Sequence, residues 1–99
     1  MLNSVNLMGR LTDDPILRQT QENVSVTTFT LAVNRDGKSE EADFIDVVCW
    51  KGTAEFAAKY FVKGSKVVVS GVLQTRTWQD KYGNNRKAVE VIAKEVFFC

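Results

Sequence analysis

The groups in this chain that could do chemistry are aromatic rings and cations rather than nucleophiles. There is no histidine, and only two cysteines, Cys49 and Cys99, stand far apart in the sequence. Neither a zinc site nor a Cys-His or Ser-His-Asp arrangement therefore has the parts it needs. Asp13, Asp14, Asp43 and Asp46 follow no recognisable ligand spacing, which leaves a metal-dependent nuclease without a motif. What recurs instead is an aromatic with a cation close by: Trp50 beside Lys51, and Trp78 two residues after Arg76. Strand side chains alternate faces, so Phe44 and Trp50 share one face of their strand, and Gln74, Arg76 and Trp78 share one face of theirs. A guanidinium and an indole exposed together suit a flat anionic polymer.

The element that must carry Arg76 and Trp78 is a long hairpin. Val67 to Trp78 is rich in β-branched residues and free of proline, Asp80 to Asn85 is dense in turn formers, and Lys87 to Val96 resumes a partly alternating pattern. At about 3.3 Å per residue such an arm is roughly 35 to 40 Å long, more than a domain of this size needs to cover its own core. Its tip, with Lys81, Tyr82, Arg86 and Lys87 nearby, is expected to project.

Upstream, Val5, Leu7, Gly9 and Leu11 alternate with polar positions in a first strand whose glycine suits a bulge or bend. Asp13-Asp14-Pro15 ends it, Ile16 to Arg18 makes a short edge piece, and Gln19 to Asn23 is a surface loop. A second strand over Val24 to Asn34 points Phe29, Leu31 and Val33 at the core. Asn34 to Ala42 is charged and arrhythmic, which predicts a loop. The third strand, Asp43 to Trp50, turns Ile45, Val47 and Cys49 inward and Phe44, Asp46, Val48 and Trp50 outward. Gly52 to Val62 predicts the only helix, begun by a Gly52 or Thr53 cap and stopped at Gly64, with Phe56, Ala57, Tyr60 and Phe61 as its apolar stripe. Three strands, a helix and two strands give an all-β fold: a five-stranded OB-fold, a Greek-key β-barrel with one α-helix between strands 3 and 4 and a long hairpin of strands 4 and 5.

The 99 residues make one domain, residues 1–99, near the lower size for a stable single core, so oligomerisation would help it. With 44% apolar and 25% charged residues and no apolar run of about eighteen, no membrane role is expected. The amino terminus lacks the features of a signal peptide, which predicts a cytoplasmic protein with reduced thiols, both read as small buried hydrophobes. The net charge is only +1, yet Val47 to Lys87 holds eight basic residues against two acidic ones. Such a split is what a binding face on a nearly neutral protein produces.

Several segments together resemble the bacterial and phage single-stranded DNA-binding protein family, over nearly the whole chain. They are Asn6-Leu-Met-Gly-Arg-Leu with Asp14-Pro-Ile-Leu-Arg18, Thr28-Phe-Thr-Leu-Ala-Val-Asn34, Asp43-Phe-Ile-Asp-Val-Val-Cys-Trp50, Ala54-Glu55 through Tyr60, Lys63-Gly-Ser65, and Gly71-Val-Leu-Gln-Thr-Arg-Thr-Trp-Gln-Asp80. The resemblance implies an OB-fold domain that coats single-stranded DNA without sequence preference and serves replication, recombination and repair in a bacterial cell or phage-infected host. It implies no enzymatic activity and no cofactor. A homotetramer whose dimers pair through strand 1 is also implied. Phe44, Trp50 and Trp78 fall on the family's base-stacking positions and Arg76 on a phosphate-contacting one. Lys51, Lys63 and Arg18 lie at or near others, and Arg86 on the arm joins the candidates.

Three departures stand out: Asn34 to Ala42 carries no aromatic, Asp46 sits where a basic or neutral polar residue is common, and the sequence ends at Cys99, before the acidic tail through which cellular members recruit replication and repair proteins. An alternative from another class is an OB module of a replication or restart complex whose arm grips a protein partner.

Overall fold

The computed structural model describes residues 1–36 and 38–99. In chain order the elements are β1 (Val5–Leu11), β2 (Ile16–Gln19), β3 (Ser25–Arg35), β4 (Lys38–Trp50), α1 (Lys51–Tyr60), β5 (Lys66–Gln79) and β6 (Asn85–Phe98). The strands are ordered β1-β5-β6-β4-β3-β2, and β1 closes the ring by pairing Arg10 with Ala32 and Leu11 with Leu31 on β3. β4 and β6 run parallel at Val47–Val91 and Val48–Ile92, the crossover that makes the topology a Greek key rather than a meander. The five long strands thus form the closed barrel of an OB-fold, with α1 between the third and fourth of them. β2, the short edge piece, is a sixth strand hydrogen-bonded along β3.

The expected inward faces build the core. Leu11, Phe29, Leu31, Val47, Cys49, Val67, Val69 and Val91 are buried, with Val5, Leu7, Val33, Ile45 and Val96 packed against them. Closing so small a barrel forces two backbones together, and glycine makes the room. A Cβ on Gly9 would lie 2.3 Å from the Ala32 carbonyl oxygen, and one on Gly71 2.0 Å from that of Ile92. Gly9 therefore marks a close approach, where β1 passes from β5 to β3, and the irregularity in the ladder falls instead between Ser70 and Gly71. Asn3 extends the wall beyond β1, its side-chain amide donating to the Leu73 carbonyl and accepting from the Leu73 N–H, each at 2.9 Å.

Six expectations are corrected. Helix α1 begins at Lys51, one residue early and without a side-chain cap, because Lys51 itself takes a left-handed φ of 56° to turn out of β4. The helix ends at Tyr60, before the predicted Val62; Gly64, with φ 86°, turns the loop that follows. Its buried side is Ala54 and Ala57, continued by Phe61 at its C-cap, whereas Phe56 and Tyr60 remain exposed against each other, with Phe98 next to Phe56. The small alanines let α1 sit close over the barrel end, where the buried Thr27 hydroxyl donates to the Ala54 carbonyl at 2.7 Å and Phe61 meets Phe29 edge-on at 6.0 Å.

The Asn34 to Ala42 stretch is largely strand, not loop: Asn34 pairs with Ala42 and Arg35 with Lys38. Charge pairing replaces apolar rhythm there, since Arg35 donates to Asp43 at 3.0 and 3.2 Å and stands 3.6 Å from Glu41. Gly37 of that stretch lies outside the described residues. Val48, assigned outward, is buried in the floor of a cavity shared with Ile16 and Thr28. Cys99 is exposed, 3.6 Å from the Met8 sulfur, while Cys49 is buried as expected.

Candidate nucleic-acid interface

The hairpin divides in two. From Lys66 to Val72 every second residue of β5 is buried, so this half is barrel wall; from Leu73 to Gln79 the whole strand is exposed. Only the outer half projects, roughly 20 Å at 3.3 Å per residue rather than the full length of the hairpin. Continuous pairing from Gln74–Glu90 to Gln79–Asn85 keeps it straight. Its tip is a turn organised by one carboxylate: Asp80 Oδ1 accepts the N–H groups of Asn84 and Tyr82 at 3.0 and 2.9 Å, and Oδ2 accepts Arg86 Nε at 3.0 Å. The Asn84 N–H, helped by the Tyr82 N–H and the Arg86 guanidinium, holds the Asp80 carboxyl below the usual carboxylate range.

On this arm Trp78 is 40% exposed. The Arg76 guanidinium carbon stands 4.4 Å from its ring centre, and Arg76 Nε reaches Glu90 Oε1 at 3.4 Å. Trp78 also borders a hollow lined by Thr77, Gln79, Asn85, Arg86 and Lys87. Arg86 is thus adjacent to Trp78, but its guanidinium is already engaged by Asp80.

The second surface lies on β4. Phe44 is 70% exposed, a large ring projecting from mid-sheet beside Ala32 on the neighbouring strand. Trp50, 43% exposed, ends the same strand and faces the Thr20–Val24 turn, with Lys51 on the rim of a shared groove of about 630 Å³. The left-handed Lys51 backbone lets the chain leave β4 directly after Trp50, so that ring stands at a strand end clear of the helix.

Between the two surfaces runs a cavity of about 310 Å³. Its lining joins Arg18 of β2 to Arg76 of β5 across Thr28, Thr30 and Asp46, with Glu90 at the arm's root. Arg18, Asp46, Arg76 and Trp78 are therefore connected along one continuous surface. Lys63 stands apart from these linings, in the loop after α1, where its backbone N–H donates to Asp14 Oδ1 at 2.7 Å. The cavity itself, and Glu90 within it, escaped the sequence reading. The signal was Glu90 itself, a carboxylate in the predicted fifth strand, whose partner across the parallel ladder could not be known before the topology was.

Among the described residues no three His, Cys, Asp or Glu side chains are grouped to hold an ion. Nor is any helix among them long and apolar enough to cross a membrane.

Comparison with known proteins points to one family. The chain is 50% identical over 102 residues to the single-stranded DNA-binding protein of Caldanaerobacter subterraneus subsp. tengcongensis, an alignment covering 99% of the chain and 68% of that relative. It is 48% identical over 98 residues to the single-stranded DNA-binding protein of Streptococcus pneumoniae, covering 95% of the chain and 63% of the relative. The match to single-stranded DNA-binding protein 1 of Staphylococcus aureus is 49% over 102 residues, covering 99% and 65%. The chain thus spans about two thirds, and in several cases less, of the length of the curated relatives it matches. The family model described as the Single-strand binding protein family matches residues 2–99. By that match and by its fold, the chain belongs to the single-strand binding protein family.

Proposed function

We propose that this protein binds single-stranded DNA by stacking bases on Phe44, Trp50 and Trp78 and neutralising phosphates with Arg76, Arg18, Lys51, Lys63 and Arg86. The observation that carries this reading is the placement of three exposed rings, Phe44 and Trp50 on one face of β4 and Trp78 on the hairpin arm, each with a cation close by or along the same surface. A base stacked on an aromatic contributes about 1 to 3 kcal/mol, and every base has a π-face, so such a path tolerates any sequence. Binding of this kind has no bond-making step; the protein acts by covering the strand, in the service of replication, recombination and repair.

Assembly is part of the same proposal. β1 pairs with β5 along Val5 to Arg10, but with β3 only at Arg10 and Leu11, so its other edge from Val5 to Gly9 is open. An open edge with the exposed Met8 beside it supports pairing of two copies through β1, and from there a tetramer around which a strand could wrap.

The test is titration with oligo(dT) while tryptophan fluorescence is followed. Quenching that weakens as salt rises is expected, because cations displaced from phosphates return at high salt. Quenching absent at low salt, or indifferent to salt, would refute the reading.

A further inference from the structure

The cavity between β2 and the root of the hairpin has a feature that phosphate binding does not use. Val47 and Val91 face each other in the parallel ladder, so Asp46 and Glu90, one residue earlier on each strand, are neighbours, and both line the cavity. Adjacent strands are about 4.8 Å apart, which sets two carboxylates side by side in the middle of a surface proposed to carry a polyanion. Both are fixed. Thr30 Oγ1 donates to Asp46 Oδ1 at 3.0 Å, and Arg76 Nε to Glu90 Oε1 at 3.4 Å. Glu90 is held in a side chain only 17% exposed. Among the described residues no side-chain donor reaches the second oxygen of either.

A phosphate placed here would meet these two negative charges and, on the same lining, those of Asp13 and Asp14, whereas Arg18 and Arg76 on the flanks would hold phosphates to either side. What fits between is the part of a nucleotide that donates hydrogen bonds, the edge of an unpaired base. The bases differ sharply in this respect. Guanine offers its N1–H and 2-amino group in parallel, two donors matched to two carboxylate oxygens. Adenine and cytosine offer one amino group beside a ring nitrogen that accepts. Thymine offers one N–H flanked by two carbonyl oxygens that a carboxylate repels. A cavity of about 310 Å³ is at the lower end of small-ligand pockets and admits one base.

We propose that this cavity is a base-edge subsite in which Asp46 and Glu90 accept hydrogen bonds from guanine, giving a stack-and-neutralise path a preference for dG over dT at one position. The proposal rests on the single-strand reading above.

The experiment competes unlabelled strands against one fluorescein-labelled oligo(dT) for the full chain. One competitor is oligo(dT); another, of equal length, is built of dT-dT-dG triplets, so that no guanines adjoin; a third carries hypoxanthine at the guanine positions. Hypoxanthine keeps the purine ring and N1–H but lacks the 2-amino group, which separates edge reading from stronger purine stacking. The guanine strand is expected to compete about five- to tenfold better than oligo(dT) in the wild type, with hypoxanthine between the two. In Asp46→Asn and in Glu90→Gln, each checked for an unchanged melting profile, the ratio should fall to near one. Equal competition by guanine and thymine strands in the wild type, or a guanine advantage that survives both substitutions, would overturn the subsite. No binding of any strand would instead overturn the single-strand reading beneath it.

Discussion

Arg76 links two groups that would otherwise be independent: its guanidinium carbon lies 4.4 Å from the centre of the Trp78 ring, and its Nε 3.4 Å from Glu90 Oε1. A cation over an indole face gains from the ring quadrupole, and the carboxylate keeps the guanidinium from swinging away into solvent. One face of Trp78 is therefore covered by the protein's own cation, and a base approaches the other face or displaces Arg76.

Trp78→Ala should weaken oligo(dT) binding by about 1 to 3 kcal/mol, read by fluorescence anisotropy, because a whole stacking platform is removed. Stability should change by no more than about 0.5 kcal/mol, since the ring sits on the outer arm and supports no buried group. Arg76→Lys keeps the charge but not the planar stack, so its loss should be smaller. A large fall in melting temperature for Trp78→Ala would mean the ring is structural.

Phe44 and Leu31 form a controlled pair of opposite character. Phe44 is 70% exposed and Leu31 fully buried. Phe44→Ala should lower DNA affinity and leave the denaturation midpoint close to wild type. Leu31→Ala should cost about 2 to 5 kcal/mol in chemical denaturation, because the cavity it leaves cannot collapse in so small a barrel.

Gly71→Ala should destabilise by about 2 to 3 kcal/mol, since the new methyl would lie 2.0 Å from a backbone carbonyl oxygen that cannot swing aside. Gly52→Ala is the informative contrast. No atom lies within 4 Å of its added methyl, and it replaces a glycine in the first turn of α1, so a gain of up to about 1 kcal/mol is expected. Thermal melts of the two variants, run together, check both.

The two thiols should behave differently. Burial pushes the Cys49 thiol up to about 12, because the thiolate would sit unsolvated in the core. Cys99 is exposed. At pH 8 a thiol reagent should therefore label one cysteine in the native protein and two in denaturant. The linkage has a definite sign: a pKa raised on folding gives stability that is complete below the ordinary thiol value near 9 and is lost as pH climbs toward 12. Cys49→Ser should flatten that alkaline decline, measured as denaturation midpoint against pH.

The barrel was legible because its inward faces alternate: Val5, Leu7 and Leu11, then Phe29 and Leu31, then Ile45, Val47 and Cys49 are each spaced for one side of a strand. The outward aromatics Phe44, Trp50 and Trp78 followed from the same period. What escaped depended on closure. Val48 is buried because β2 and the hairpin wall in its side of the sheet, which no local pattern announces. Asp46 and Glu90 meet only through a parallel ladder between distant segments. The Asn34 to Ala42 error was avoidable, since Asp36-Gly37 is among the strongest hairpin dipeptides and opposite charges follow on either side. Half of the helix stripe was misassigned: Ala57 and Phe61 are buried as expected, but Phe56 and Tyr60 fit the period as well as Ala54 does, and the small alanine won the tight contact.

The division of the hairpin at Leu73 bears on time as well as shape. Inside that point the ladder is anchored by buried valines; outside it, strand pairing, cross-strand contacts and the Asp80 turn are all that hold the arm. Such a segment opens from its tip inward without disturbing the barrel, and forms a cooperative unit of its own. Its amides should exchange with solvent in a tier well ahead of those in β1 and the inner halves of β5 and β6. The wall bearing Trp78 and Arg76 is thus able to lift from and resettle on a strand while the barrel beneath it stays folded.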